Sequence, residues 1–277
     1  MRSSLRRNTA IFRTIPATRG RVRLRGGRDP AGTAYARPQA DDRGGAARVG
    51  CDVGARRTAL PAGAATAAAV FLLALAGVLA RWGWMEHADW AVLGPLYRYG
   101  VAHPGWVTAW DVLCTVFHPA VFRLIALIWI VYLLMGRRPD RYRVALFLAL
   151  TVELSALIVV LAKAVVSRPR PATALVPELS SSFPSGHALG TAVAVTAMLF
   201  VAAPWLRGRW RSVFVAVGVL IVVAVGVGRV VLNVHHPSDV LAGWALGYLW
   251  VLVWLPVLTS RRITVVDETP AETDSGS

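Results

Sequence analysis

Residues 163–187 read KAVVSRPRPATALVPELSSSFPSGH, and the fold is decided by how this stretch joins its flanks. It leaves one long apolar segment carrying Lys163, Arg168 and Arg170, and enters the next with Ser185, Gly186 and His187. Cations, a hydroxyl, exposed backbone amides and an imidazole therefore gather at one surface. That is the chemistry of an anion site, in particular a phosphate site. Lys163 is the only lysine in the chain, so its place at the end of an apolar segment is not generic surface charge.

The chain has 277 residues, 56% of them hydrophobic, and a mean hydropathy of +0.53. Soluble domains are about 45–50% apolar even with glycine counted, so this chain belongs in a bilayer. A net charge of +15 raises the question of nucleic acid. Much of the excess, however, sits in the first sixty residues and much of the rest beside apolar segments, which reads as topology and attraction to a lipid surface. No nucleic-acid partner is expected. Cys51 and Cys114 are not at metal-ligand spacing, and neither a disulfide nor a metal site is implied.

Residues 1–60 are rich in Arg, Gly, Ala and Pro without apolar periodicity, and read as a disordered cytoplasmic tail. Residues 61–260 hold six apolar segments, near 62–80, 119–135, 144–163, 187–203, 212–231 and 239–258. Each is close to the roughly 20 residues a spanning helix needs. Residues 261–277 form a short cytoplasmic C-terminal tail. Between the first two segments, residues 81–118 carry Trp82, Trp84, Trp90, Trp106 and Trp110, and are expected to lie along the interface as short helices. Glu153 is an intramembrane acid for which a structural hydrogen bond or a protonated state is expected.

Arginines 137, 138, 141 and 143 follow the second segment, 207, 209 and 211 the fourth, and 261 and 262 the sixth. By the positive-inside bias these loops and both termini are cytoplasmic. Lys163, Arg168, Arg170 and Arg229 then face outward against that bias, which marks them for function.

The second half of the site is Gly228-Arg229 followed by His235-His236-Pro237-Ser238-Asp239. Pro237 suits a first helical turn. Asp239, four residues after His235, is placed to accept a hydrogen bond from one ring nitrogen and leave the other nitrogen's lone pair aimed outward, as a nucleophile requires. Ser185 and Gly186 open the fourth apolar segment with free N–H groups. Lys163, Arg170 and Arg229 neutralise phosphoryl oxygens, and His187 is placed to protonate a leaving oxygen. Arg168 and Arg170 are tandem Arg-Pro copies, and His235 and His236 are neighbours. Spacing to Lys163 and to Asp239 favours Arg170 and His235. Arg168 is expected at the interface or a headgroup, and His118 at most on the rim of the site.

Lys163-x6-Arg170-Pro171, Pro184-Ser185-Gly186-His187 and Arg229-x5-His235-x3-Asp239 together resemble the three motifs of the type 2 phosphatidic acid phosphatase (PAP2) superfamily. The resemblance covers about residues 62–258. It implies an all-α polytopic membrane protein, a bundle of six transmembrane helices. It also implies an enzyme that hydrolyses lipid phosphates or polyprenyl diphosphates through a phosphohistidine intermediate, with no metal or cofactor. By motif position His235 is the nucleophile, Asp239 its orienting partner and His187 the acid, while Lys163, Arg170, Ser185, Gly186 and Arg229 bind phosphate. One departure is Gly228, where the family usually has serine. Two alternatives stay open: a phosphotransferase with the same chemistry, and a non-catalytic lipid-binding or transport homologue. The expected location is the plasma (inner) membrane with the site on the extracytoplasmic face. The lipid and the oligomeric state are not set by the sequence.

Overall fold

The computed structural model describes residues 26–28, 34–36 and 45–260, with side chains from Ala62 onward. The chain divides into two units, residues 1–57 and 58–277. In the first, strands β1 (Gly26–Arg28) and β2 (Ala34–Ala36) pair antiparallel with Gly27 opposite Tyr35. The disorder expected over residues 1–60 otherwise falls largely outside the described residues, as does the tail 261–277.

From α1 (Gly45–Leu79) onward the described chain is helical: α2 (Gly83–Ala102), α3 (Pro104–Val116), α4 (Pro119–Met135), α5 (Arg141–Leu148), a π-helical turn (Ala149–Glu153), α6 (Ser155–Val166), α7 (Gly186–Ala202), α8 (Arg209–Val231) and α9 (Pro237–Thr259). Helices are what such apolar runs must form, because in hydrocarbon each backbone N–H and C=O needs a partner within its own segment. Among the described residues five stretches are long and apolar enough to cross a membrane: Ala62–Leu79, Pro104–Met135, Arg141–Val166, Arg209–Val231 and Pro237–Thr259. The sixth expected span, α7, has 17 residues, fewer than the usual 20 or so. From Gly45 onward the described chain is that of a multi-pass, helical membrane protein. The aromatic stretch 81–118 forms two helices, α2 of 20 residues and α3 of 13, longer than the short helices expected.

α7 is the centre of the bundle. Its Ala, Gly, Val and Leu side chains are buried along most of its length, and Leu189, Val193, Ala194 and Ala197 pack into one core with Phe122 and Ala126 of α4, Phe147 and Leu148 of α5, and Val251 of α9. Small residues allow this closeness. A Cβ on Gly243 would lie 2.7 Å from the Ser185 carbonyl oxygen, and one on Gly247 would lie 2.9 Å from that of Leu189, so α9 meets α7 backbone to backbone. Gly190 serves a different neighbour, Pro119 at the start of α4. The outer faces keep large apolar side chains exposed, such as Ile128 and Val131 on α4 and Phe214, Leu220 and Val223 on α8, as a lipid-facing surface should.

Within the third apolar stretch, the π-helical turn breaks the regular ladder. The Thr151 carbonyl there accepts from Trp250 Nε1 of α9 at 3.0 Å. Oε1 of Glu153, the last residue of that turn, is buried and has no hydrogen-bond partner among the described residues. The structural hydrogen bond expected of this acid is not made through that oxygen.

Candidate active site

The site lies where α6 and α8 end and α7 and α9 begin. Ser167 adopts a left-handed conformation (φ 45°) that stops α6, and residues 168–185 then cross to α7. Lys163, in the last turn of α6, donates from Nζ to Ser180 Oγ at 2.8 Å and to the Ser181 carbonyl at 2.7 Å. Arg170 donates from Nε to the Ser180 carbonyl at 2.6 Å and from Nη1 to the Val234 carbonyl at 2.7 Å. Lys163 thus ties the end of α6 to the loop between α6 and α7, and Arg170 fastens that loop onto the loop between α8 and α9. Ser185 is fully buried and caps α7, its Oγ accepting from the Ala188 N–H at 3.4 Å. Its own N–H donates to the Asp239 carbonyl at 3.0 Å. Gly186 follows as the first residue of α7, and a Cβ there would meet Val159 of α6 at 3.1 Å.

His235 is 1% exposed. Its Nε2 lies 3.2 Å from Arg170 Nη1. A guanidinium only donates, so Nε2 carries the lone pair and Nδ1 the proton. Nδ1 faces Ser182 Oγ at 3.5 Å and Asp239 Oδ2 at 3.8 Å. The direct hydrogen bond expected between His235 and Asp239 is therefore not formed. The Ser182 hydroxyl lies beside both groups and donates to Asp239 Oδ2. His236 takes the closer place on that carboxylate: its backbone N–H and Nδ1 lie 2.9 and 3.1 Å from Oδ2, forming the cap of α9. Of the two neighbouring histidines, His235 is the one whose ring nitrogen meets Arg170.

Arg168 departs from its expected interfacial role. It is half-buried between two buried carboxylates, Nη1 donating to Asp239 Oδ1 at 2.6 Å and Nη2 to Asp89 Oδ2 at 3.0 Å. Asp89, on α2, also accepts from the Ser238 N–H at 3.0 Å and from Ser238 Oγ at 2.6 Å. The tandem Arg-Pro copies are thus divided: Arg168 goes to the carboxylates and Arg170 to the histidine.

Arg229, 3% exposed in the last turn of α8, donates through Nη2 to Glu178 Oε1. Glu178 Oε2 accepts from Arg170 Nη2 at 3.5 Å. One carboxylate bridges both arginines, presenting two oxygens much as a phosphoryl group would. Burial pushes the Glu178 carboxyl up, but the charge and hydrogen bond of Arg229 and the charge of Arg170 outweigh it and hold its pKa below the usual carboxylate range. Burial lowers the Arg170 guanidinium pKa. Burial also drives His235 down to about 4, against the opposing pull of Asp239, so its imidazole is neutral at physiological pH.

His187, the second residue of α7, lies within electrostatic reach of Arg229, His235 and Lys163. Its ring meets His118 edge to face at 4.5 Å between centroids, and His118 Nδ1 accepts from the Ala120 N–H at 3.0 Å. The structure brings all eight sequence-predicted residues together: Lys163, Arg170, Ser185, Gly186, His187, Arg229, His235 and Asp239. Asp89, Glu178 and Ser182 were not singled out. Glu178 carried a signal, being the only acid between Lys163 and Asp239. A cavity of about 670 Å³ opens beside the cluster, with Arg168, Arg170, His236, Trp90 and Met85 in its wall.

Comparison with known proteins covers the same stretch of chain. Residues 144–263 match the model of the PAP2 superfamily. The chain is 41% identical over 88 residues to phosphatidylglycerophosphatase B of Bacillus subtilis (strain 168), covering 30% of this chain and 43% of that protein. It is 38% identical over 66 residues to an undecaprenyl-diphosphatase of Sulfolobus acidocaldarius, 24% of this chain and 28% of that one. It is 37% identical over 81 residues to a lipid A 1-phosphatase of Rhizobium johnstonii, 28% and 27%. The chain thus spans less than half the length of the curated relatives it matches. Its fold is similar to the crystal structure of a transmembrane PAP2 type phosphatidylglycerolphosphate phosphatase from Bacillus subtilis, with a TM-score of 0.59 and 24% identity over 69% of this chain and 94% of that one. The three motifs thus fold into one cluster, on helices arranged as in that structure and within residues 144–263, the region that is similar to the PAP2 superfamily.

Proposed function

We propose that this protein is an integral-membrane phosphatase that hydrolyses a lipid phosphate or polyprenyl diphosphate through a phosphohistidine on His235. The observation that carries this reading is the orientation of His235: its Nε2 lone pair is directed at Arg170, whose guanidinium shares the Glu178 carboxylate with Arg229. A phosphoryl group taking the place of that carboxylate would lie before Nε2. The relatives named above, all phosphatases of membrane lipids by name, support the substrate class.

In the first step the Nε2 lone pair attacks phosphorus, a P–N bond forms and the bond to the lipid oxygen breaks. His187 gives its proton to that oxygen. In the second step water attacks the phosphohistidine, His187 takes a proton from the water, and inorganic phosphate leaves with the P–N bond broken. Lys163, Arg170, Arg229 and the N–H groups that follow Ser185 stabilise the equatorial oxygens as charge develops. Asp239, through Ser182, holds the Nδ1 proton in place and stabilises the imidazolium character of the intermediate. The chain's own cations supply the positive charge, so the chemistry proceeds without a metal.

We place the site on the extracytoplasmic face of the plasma membrane with both termini cytoplasmic. Arg137, Arg138 and Trp205 support this from the opposite end of the helices, where the Arg138 guanidinium lies 5.0 Å over the Trp205 ring, an arrangement suited to the positively charged, aromatic cytoplasmic interface. The test is phosphate release by the detergent-solubilised protein from a panel of lipid phosphates and polyprenyl diphosphates in EDTA. Release that survives chelation and is lost in His235→Ala supports the reading. Release that requires added metal, or that persists in His235→Ala, overturns it.

A further inference from the structure

Gly228 is the one motif position that departs from the superfamily pattern, and the structure shows what stands there instead. A Cβ on Gly228 would lie 2.6 Å from Cys114 Sγ and 3.0 Å from Trp110 Cε3. Both residues belong to α3, which precedes the first motif by about fifty residues of chain. Cys114 is 1% exposed, its Sγ lies 3.9 Å from the Val225 carbonyl one turn before Gly228, and its thiol is within electrostatic reach of the Arg229 guanidinium. Arg229 has a second relevant feature. Its Nε is buried and has no hydrogen-bond partner among the described residues, so the stem side of this guanidinium is aimed by packing and not by a hydrogen bond.

We propose that Cys114 is a positioning residue for Arg229: its sulfur occupies the volume a side chain at 228 would take and seats the last turn of α8, so that the guanidinium faces the phosphate. The inference rests on the phosphatase reading above. On it, Gly228 is one half of an exchange, in which the atom missing from α8 is supplied by α3. Residues in such contact couple, whereas independent losses add.

The test is a swap. Affinity for inorganic phosphate is read from its protection against thermal unfolding in detergent, together with KM and kcat on the best lipid substrate, for Cys114→Ala, Gly228→Ser, Cys114→Ser and the double variant Cys114→Ala/Gly228→Ser. Each of Cys114→Ala and Gly228→Ser should weaken phosphate binding about tenfold, the scale of coupling between touching residues, and raise KM more than it lowers kcat. The double variant should return to within about threefold of wild type, as should Cys114→Ser, which keeps a group of similar shape. Losses that multiply in the double variant, or a Cys114→Ala protein that binds phosphate as wild type does, would overturn the proposal. So would loss of folding in all four variants, which would make Cys114 plain core filling. Failure of the phosphatase reading looks different: wild type itself would neither bind phosphate nor turn over substrate.

Discussion

His235 Nδ1 and Asp239 Oδ2 face each other at 3.8 Å, with the Ser182 hydroxyl hydrogen-bonded to the carboxylate and 3.5 Å from the imidazole. On the proposed mechanism, the orienting effect of the aspartate reaches the histidine through Ser182. Replacing Ser182 with alanine removes that link while leaving Asp239 held by Arg168 and His236. We expect kcat to fall about tenfold, the equivalent of one buried hydrogen bond, and Asp239→Asn to fall further because it disturbs Arg168 and His236 as well. Steady-state kinetics of the two variants side by side checks this ordering.

Glu178 pairs with both Arg170 and Arg229, the two arginines proposed to bind the substrate phosphate. Glu178→Gln keeps the shape and removes the charge, so inorganic phosphate should inhibit about tenfold more strongly, as expected when a charge-assisted contact is given back to the ligand. Weaker inhibition in Glu178→Gln would mean that the carboxylate holds the arginines in place for phosphate instead of occupying their ligand's position.

The acid limb of the rate profile follows from the pKa of His235. Burial lowers it to about 4 from an ordinary 6.5, against Asp239. The neutral nucleophile is therefore available down to about pH 4, and the acid limb of kcat/KM assigned to His235 should lie near pH 4 and not near 6.5. Asp239→Asn removes the group that raises the pKa, so the limb should move to still lower pH. For stability the sign is the same. The folded state resists a proton that the unfolded chain accepts at pH 6.5, so the contribution is intact above pH 6.5 and is lost as pH falls from there through about 4. Thermal unfolding across pH 4–8, wild type against His235→Ala, measures it.

Arg168 separates the two buried carboxylates of Asp89 and Asp239. Removing one partner of such a buried pair costs about 3–5 kcal/mol because the remaining charge is uncompensated. Arg168→Ala should therefore lower thermal stability as well as activity. Arg168→Ala combined with Asp89→Asn should recover part of the stability, since one of the two orphaned charges is removed. Unfolding midpoints of the three proteins in one detergent test this.

The helices and the three motifs were legible in the sequence because both are local: apolar runs of about twenty residues, and basic, hydroxyl and imidazole groups at fixed short spacing. Lys163, Arg170, His187 and His235 could be placed from those patterns alone. Asp89 could not, because its partners Arg168 and Ser238 lie 79 and 149 residues further along and no short-range pattern connects them. Ser182 is one of three consecutive loop serines, and only the folded loop brings it, and not Ser180 or Ser181, against His235 Nδ1. Arg168 and Arg170 have the same local sequence; spacing to Lys163 separates them, but the carboxylates that Arg168 meets lie on elements far along the chain. The Cys114 contact with Gly228 is of the same kind, a packing relation between helices far apart in sequence.

The central claim is that phosphorus passes through His235. The most direct measurement is acid-avoiding rapid quench of the enzyme with a lipid substrate bearing a good leaving group, followed by mass spectrometry of the peptide that contains His235 and His236. Using His187→Ala slows breakdown of the intermediate, because the general base for water is gone, and a good leaving group still lets it form. The account predicts a phosphoryl group on His235 that appears before free phosphate and is absent in His235→Ala. Phosphate release with no labelled histidine under those conditions, or a label on His236, would contradict it.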